Sequence, residues 1–195
     1  MSFRSWLESV RGRCGVRAKS RRLKRVTQQR ATAAQTTEAL EPRCLLTVTA
    51  FVFNGTDMSI VMNSNDAVQV QADASGFVQV LSGTTTVAVQ QVLAASLTSL
   101  NIQGSDSANS IDVSAITSSN FSPNLIINVH GGDAADTIIG STLADNLFGD
   151  NGADSIIGGA GSDTLSGGDG NDTITAGTEN DSILGGDGLD NITGD

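Results

Sequence analysis

Residues 131–193 begin Gly131-Gly132-Asp133-Ala134-Ala135-Asp136-Thr137-Ile138-Ile139. They continue without insertion as GSTLADNLF (140–148), GDNGADSII (149–157), GGAGSDTLS (158–166), GGDGNDTIT (167–175), AGTENDSIL (176–184) and GGDGLDNIT (185–193). Position six of every unit is Asp: Asp136, Asp145, Asp154, Asp163, Asp172, Asp181 and Asp190. Position eight is always aliphatic: Ile138, Leu147, Ile156, Leu165, Ile174, Ile183 and Ile192. Position seven is always Thr, Ser or Asn. A biased composition would yield the glycine and aspartate but not a fixed phase, and a phase held over seven units marks one supersecondary unit stacked on copies of itself.

The chemistry of the unit points to a divalent cation. One inward aliphatic side chain per unit builds a thin stacked core. Stacked strands repeat at about 4.8 Å, and calcium–oxygen bonds are about 2.4 Å. An ion between two stacked turns therefore spans the strand spacing without strain. Glycine at positions one, two and four permits positive φ and lets carbonyl oxygens turn towards the ion. The position-six Asp brings negative charge. No single turn completes a shell, so ion binding and coil stacking are coupled.

The pattern resembles the hemolysin-type (RTX) calcium-binding repeat, G-G-x-G-x-D-x-U-x with U aliphatic. That resemblance covers residues 131–193. It implies an all-β architecture ending in a right-handed parallel β-roll, a solenoid in which six residues of each unit form a turn and three a short strand. Two units would make one coil, with Ca2+ between turns stacked on the same edge. The two edges differ. At position three the odd units carry Asp133, Asn151, Asp169 and Asp187, whereas the even units carry Thr142, Ala160 and Thr178. Leu143 and Glu179 replace glycine at position four of two even units, and Ala176 replaces the first glycine of the sixth. The odd edge is therefore expected to bind calcium more tightly, its best sites lying between Asp154 and Asp172 and between Asp172 and Asp190.

Charge divides the chain. All 11 Lys and Arg lie in residues 1–43 beside three acids (Glu8, Glu38, Glu41), a net of +8; residues 44–195 hold the other 18 acids and no Lys or Arg. The acidic part has no lysine or arginine partner, so its self-repulsion calls for a cation from outside. Cys14 and Cys44 sit in or at the edge of the basic part and cannot staple the acidic one. The basic run has the charge of a nucleic-acid binder but no interleaved aromatics, and nucleic acid is not expected as a partner. Leu40-Glu41-Pro42-Arg43-Cys44-Leu45-Leu46 resembles the LEPR-x-LL signature near the start of exported bacterial proteins, where it follows a basic stretch as here. The resemblance implies a secreted or cell-surface destination; residues 1–39, rich in Arg, Ser, Thr and Gln with little apolar periodicity, make 1–46 read as a disordered basic leader. Glu41-Pro42-Arg43 is no lipobox, and no run of 18 apolar residues exists to span a membrane.

Residues 47–92 alternate in short runs. Asn54-Gly55 between Thr49–Phe53 and Met58–Met62 is a strong hairpin signal. Ala67–Gln71, Phe77–Leu81 and Thr85–Val92 follow, so an antiparallel β meander is expected over 47–92. Residues 93–130 read as irregular β structure with degenerate solenoid coils. Gly104–Asp112 is a worn copy of the nonapeptide, in phase with it, and marks the expected start of the solenoid.

The function this predicts is calcium binding in a non-catalytic, secreted or surface structural protein. Two alternatives are a truncated part of a calcium-dependent secreted enzyme or toxin, and a module for surface adhesion or self-association. His130 is the only histidine, which excludes a zinc-binding His pair, and no G-x-S-x-G elbow has a histidine partner. His130 is read as a junction residue before the first repeat.

Overall fold

The structure is a computed structural model that describes residues 48–53, 56–62, 65–82 and 85–194, all within one compact unit, Leu46–Asp195. The basic leader 1–46 with Cys14, Cys44 and the LEPR-x-LL motif lies outside the described residues. So do Asn54 and Gly55.

The described residues form an all-β solenoid. Its strands are β1 (Val48–Phe53), β2 (Asp57–Met62), β3 (Ala67–Ala72), β4 (Phe77–Ser82), β5 (Thr85–Leu93), β6 (Ser99–Gln103), β7 (Ser110–Asp112) and β8 (Ile126–Gly132). They continue as β9 (Thr137–Ile139), β10 (Asp145–Asn151), β11 (Ser155–Ala160), β12 (Thr164–Asp169), β13 (Thr173–Thr178), β14 (Ser182–Asp187) and β15 (Asn191–Thr193). Ala94–Ser96 form one 3₁₀ turn. Two sheets result, ordered β1-β2-β6-β8-β10-β12-β14 and β15-β13-β11-β9-β7-β3-β4-β5.

Successive strands of the repeat fall alternately in the two sheets, and each pairs in parallel with the strand two units later. Leu147 is in register with Leu165, and Leu165 with Ile183; Ile138, Ile156, Ile174 and Ile192 stack likewise in the other sheet. Parallel pairing in strict register is what the nonapeptide demands. A slip of one residue would turn every position-eight side chain outward. Ile138, Leu147, Ile156, Leu165 and Ile174 are fully buried, while Ile183 is half-buried and Ile192 is 44% exposed. Position seven faces out. On one sheet it forms an amide ladder in which Asn146 donates to Asn128 at 2.9 Å and Asn128 to Asn101 at 2.8 Å.

The single meander expected over 47–92 is divided. The β1–β2, β3–β4 and β4–β5 pairs are antiparallel, but β2 and β3 lie in opposite sheets. β2 runs parallel to β6, Ile60 against Ile102, and β3 parallel to β7, Val68 against Ile111. The physical reason is burial. Met58, Ile60 and Met62 alternate inward from one side and Val68 and Val70 from the other, closing a coil rather than a hairpin. Parallel stacking thus begins at β2, earlier than Gly104. Antiparallel β1 and the β4–β5 hairpin cover its two sheet edges, which protects edge strands from pairing with other chains. The next coil is longer by one nonapeptide than the 18-residue coils of the repeat. Ile102 pairs with Val129 and Ile111 with Ile138, 27 residues apart, because residues 113–125 bulge out and bury Val113, Ile116, Phe121 and Leu125.

Candidate metal centre

Each nonapeptide places its turn at an edge of the roll, and turns two units apart stack. Turns 131–136, 149–154, 167–172 and 185–190 share one edge; turns 140–145, 158–163 and 176–181 share the other. In all but one of these turns positions two and four are left-handed. Gly168 and Gly170 have φ of 108° and 136°. A Cβ on Gly170 would strike the backbone of Gly152 in the coil below, so only glycine fits that stack. Asp150 at position two, and Ala134 and Glu179 at position four, adopt φ of 70°, 71° and 81° without that freedom.

The position-six carboxylates form a ladder up each edge. The N–H of Asp136 donates to Asp154 Oδ1 at 2.7 Å, that of Asp154 to Asp172 Oδ1 at 2.8 Å, and that of Asp172 to Asp190 Oδ1 at 3.0 Å. On the other edge the N–H of Asp145 donates to Asp163 Oδ1 and that of Asp163 to Asp181 Oδ1, both at 2.9 Å. Asp136, Asp145, Asp154, Asp163 and Asp172 are buried; Asp181 and Asp190 are half-buried near the end of the roll.

One oxygen of each pair is left over. The Oδ2 atoms of Asp136, Asp154, Asp163 and Asp172 are buried and accept no hydrogen bond. A buried carboxylate oxygen without a donor is costly, and four at equivalent positions require a common explanation. Each faces a small cradle above the position-one residue of its own turn. A Cβ on Gly131 would sit 2.5 Å from Asp136 Oδ2 and 2.6 Å from the Gly149 carbonyl oxygen of the next coil. The same pairing of a carboxylate oxygen with a carbonyl oxygen recurs at Gly149, Gly158 and Gly167. Converging oxygens, one of them anionic, are a hard-cation donor set. Among the described residues no three His, Cys, Asp or Glu side chains gather into a metal-holding group. What converges at each cradle is a single aspartate oxygen and a backbone carbonyl oxygen of the next coil, a pair suited to calcium.

The electrostatics agree. Burial raises the Asp136 and Asp163 carboxyls to about 6 and that of Asp154 above its ordinary value, against the opposing backbone hydrogen bond. The neighbouring Asp one coil on adds repulsion in each case. Burial and mutual repulsion thus disfavour the charged form of these carboxylates, and a nearby cation would offset both.

Asp145 differs from the others. Burial raises it to about 7, yet Ser141 donates to both its oxygens, from N–H to Oδ2 at 2.6 Å and from Oγ to Oδ1 at 3.0 Å. Ser141 and Leu143 stand where other turns have left-handed residues, and neither has positive φ. The position-three residues Asp133, Asn151, Asp169 and Asp187 are exposed along the odd edge. Asn151 donates to Asp133 at 2.7 Å, and the charge of Asp133 adds to the upward push on Asp136. These residues line the rim of the edge, whereas the orphaned oxygens belong to position six.

Two residues outside the predicted set are engaged. Asn109 is buried and occupies position six of turn 104–109, below turn 131–136; its N–H donates to Asp136 Oδ1 at 2.6 Å. His130 pairs through Nδ1 with the Asp150 carboxylate at 3.0 Å and stacks on Phe148, ring centroids 4.7 Å apart. The in-phase Gly104–Asp112 copy signalled the first; nothing in the repeat pattern signalled the second.

Residues 130–165 and 166–195 match the family of RTX calcium-binding nonapeptide repeats, with four copies. The match takes in about a third of the chain. No curated protein and no solved structure is significantly similar to the chain.

Proposed function

Since residues 130–195 are RTX calcium-binding repeats, we propose that this chain is a non-catalytic structural protein of the cell exterior whose roll is completed by calcium. The observation that carries the reading is the row of orphaned Oδ2 atoms on Asp136, Asp154, Asp163 and Asp172, each beside a carbonyl from the neighbouring coil. A bound divalent cation supplies the positive charge those oxygens lack. Where free calcium is scarce, the acidic repeats repel one another and stay open, a form suited to export. Where calcium is about millimolar, sites of about 10⁻⁴–10⁻³ M affinity fill and the coils close. The LEPR-x-LL resemblance and the absence of Lys and Arg beyond Arg43 support an exterior destination. Among the described residues no helix is long and apolar enough to cross a membrane.

Circular dichroism of the whole chain in calcium and in excess EGTA tests this. A gain of β signal on adding calcium, reversed by chelation and not reproduced by magnesium, is the expected result. An identical spectrum in both conditions removes the reading.

A further inference from the structure

Two turns of the roll are built on a different plan from the calcium turns, and they share that plan with each other. In turn 104–109 Ser105 donates from N–H to Asn109 Oδ1 at 2.7 Å and from Oγ to the same atom at 3.2 Å. The N–H of Ser107 in turn donates to Ser105 Oγ at 3.3 Å. In turn 140–145 Ser141 donates from N–H and Oγ to Asp145 at 2.6 and 3.0 Å, and the N–H of Leu143 donates to Ser141 Oγ at 2.9 Å. The bonds are equivalent position by position: two to six twice, then four to two. In both, serine replaces the position-two glycine, and positions two and four avoid the left-handed region. In both, protein donors satisfy the position-six oxygen that is orphaned in Asp136, Asp154, Asp163 and Asp172.

Their placement is equally regular. Turn 104–109 lies beneath the stack of one edge, its Asn109 N–H bonded to Asp136. Turn 140–145 lies beneath the stack of the other, its Asp145 N–H bonded to Asp163. Each column of calcium turns therefore starts on a serine-closed turn. The two parts of the molecule also differ in what holds them together. Among the described residues 21 of the 25 buried apolar side chains precede Gly149. Residues 149–195 carry 10 acids in 47 positions, against 8 in the 101 residues 48–148. The earlier part has a core sufficient to order it; the later part has a single file of aliphatics and a dense column of charge.

We propose that these two turns are metal-free first rungs, one per edge, so that the chain before Gly149 orders without calcium and serves as the template on which calcium assembles the coils after it. This rests on the calcium reading above for the later coils and adds a fixed direction and a boundary. With the later coils open, Asp136 faces water and its Oδ2 is no longer an orphan, so the early part is self-consistent alone. Adding each later coil buries a carboxylate whose charge, at neutral pH, calls for a cation.

Hydrogen–deuterium exchange of the full chain, read by mass spectrometry in excess EGTA and then in millimolar calcium, tests the proposal. Amides of β6 to β9 are expected to be protected in both conditions. Those of β12 to β15 are expected to exchange freely in EGTA and to slow by at least a hundredfold in calcium. Ser141→Ala should speed exchange of the early strands in EGTA on the order of tenfold, the equivalent of one to two hydrogen bonds, while leaving the number of calcium ions bound unchanged. If early and late strands gain protection together on adding calcium, the template is wrong and the calcium reading stands. If the late strands are protected in EGTA, both fail. An early part indifferent to Ser141→Ala overturns the role given to the serine-closed turn.

Discussion

The Oδ1 atom of Asp172 accepts the backbone N–H of Asp154 at 2.8 Å, across eighteen residues of chain and one coil of the roll. The Oδ2 atom of the same carboxylate is buried with no partner. One oxygen thus ties two coils together while its twin has no protein donor, and the arrangement recurs at Asp136 and Asp154 on the same edge and at Asp163 on the other. On the proposed calcium reading, stacking and ion binding are coupled because they use the two halves of one side chain.

Asp172 Oδ2 faces the Gly185 carbonyl of turn 185–190, which has glycine at positions one, two and four, whereas Asp163 Oδ2 faces the Ala176 carbonyl of turn 176–181, where Ala176 and Glu179 replace two of those glycines. Asp172→Ala is expected to weaken calcium binding at least tenfold, and Asp163→Ala by clearly less, in parallel calcium titrations. Equal losses would defeat the claim that the edges are unequal.

The pH dependence follows from the same carboxylates. Asp136 and Asp163 are raised to about 6 and Asp145 to about 7 by burial, above the ordinary carboxylate value of about 4. Between these values the folded chain holds protons that the unfolded chain has released, so without calcium stability falls as pH rises. The benefit is complete below about pH 4 and lost above about pH 7. In EGTA, acidification from pH 7.5 to 5 should therefore increase β signal in circular dichroism. With calcium present, proton and ion compete, and affinity should drop through the same window. A calcium-free chain that unfolds progressively as pH falls from 7 to 5 contradicts this.

Glycine matters where coils touch. Gly170 has φ of 136° and a Cβ there would strike Gly152, so Gly170→Ala should prevent ordering of the later coils even in calcium. Ala134 holds φ of 71° at a cost of about 1 kcal/mol that glycine would not incur. Ala134→Gly is expected to be neutral or to raise the melting temperature in calcium. Thermal melts of the two variants distinguish steric need from general loop tolerance.

The stacked core sets a third gradient. Ile156 is fully buried between Ile138 and Ile174, while Ile192 is 44% exposed. Truncating a buried Ile to Ala costs about 2–5 kcal/mol. Ile156→Ala should lose that much in calcium-loaded urea unfolding, and Ile192→Ala well under half of it. Similar losses would mean the position-eight column is not the core.

The part of the fold that could be read from sequence is the part with a repeating phase. Position eight named the core and position six the orphaned oxygens, because an eighteen-residue coil writes its contacts into a nine-residue period. The division of β2 and β3 between sheets could not be read. Alternating runs such as Met58–Met62 and Val68–Val70 have the same pattern whether the partner is the next strand or one 42 residues away. Turn 104–109 kept its phase but lost its Asp, so its role as the first rung emerged only from the bond between Asn109 and Asp136. Ser141 carried no signal in the sequence; its three hydrogen bonds show a turn that closes itself.

Isothermal titration of calcium into the EGTA-stripped, dialysed full chain tests the central claim most directly. The account predicts heat on binding, saturation at more than one ion per chain in the sub-millimolar to millimolar range, and loss of most of that signal in Asp154→Asn with Asp172→Asn. No heat, and late coils as well ordered after chelation as before, would contradict it.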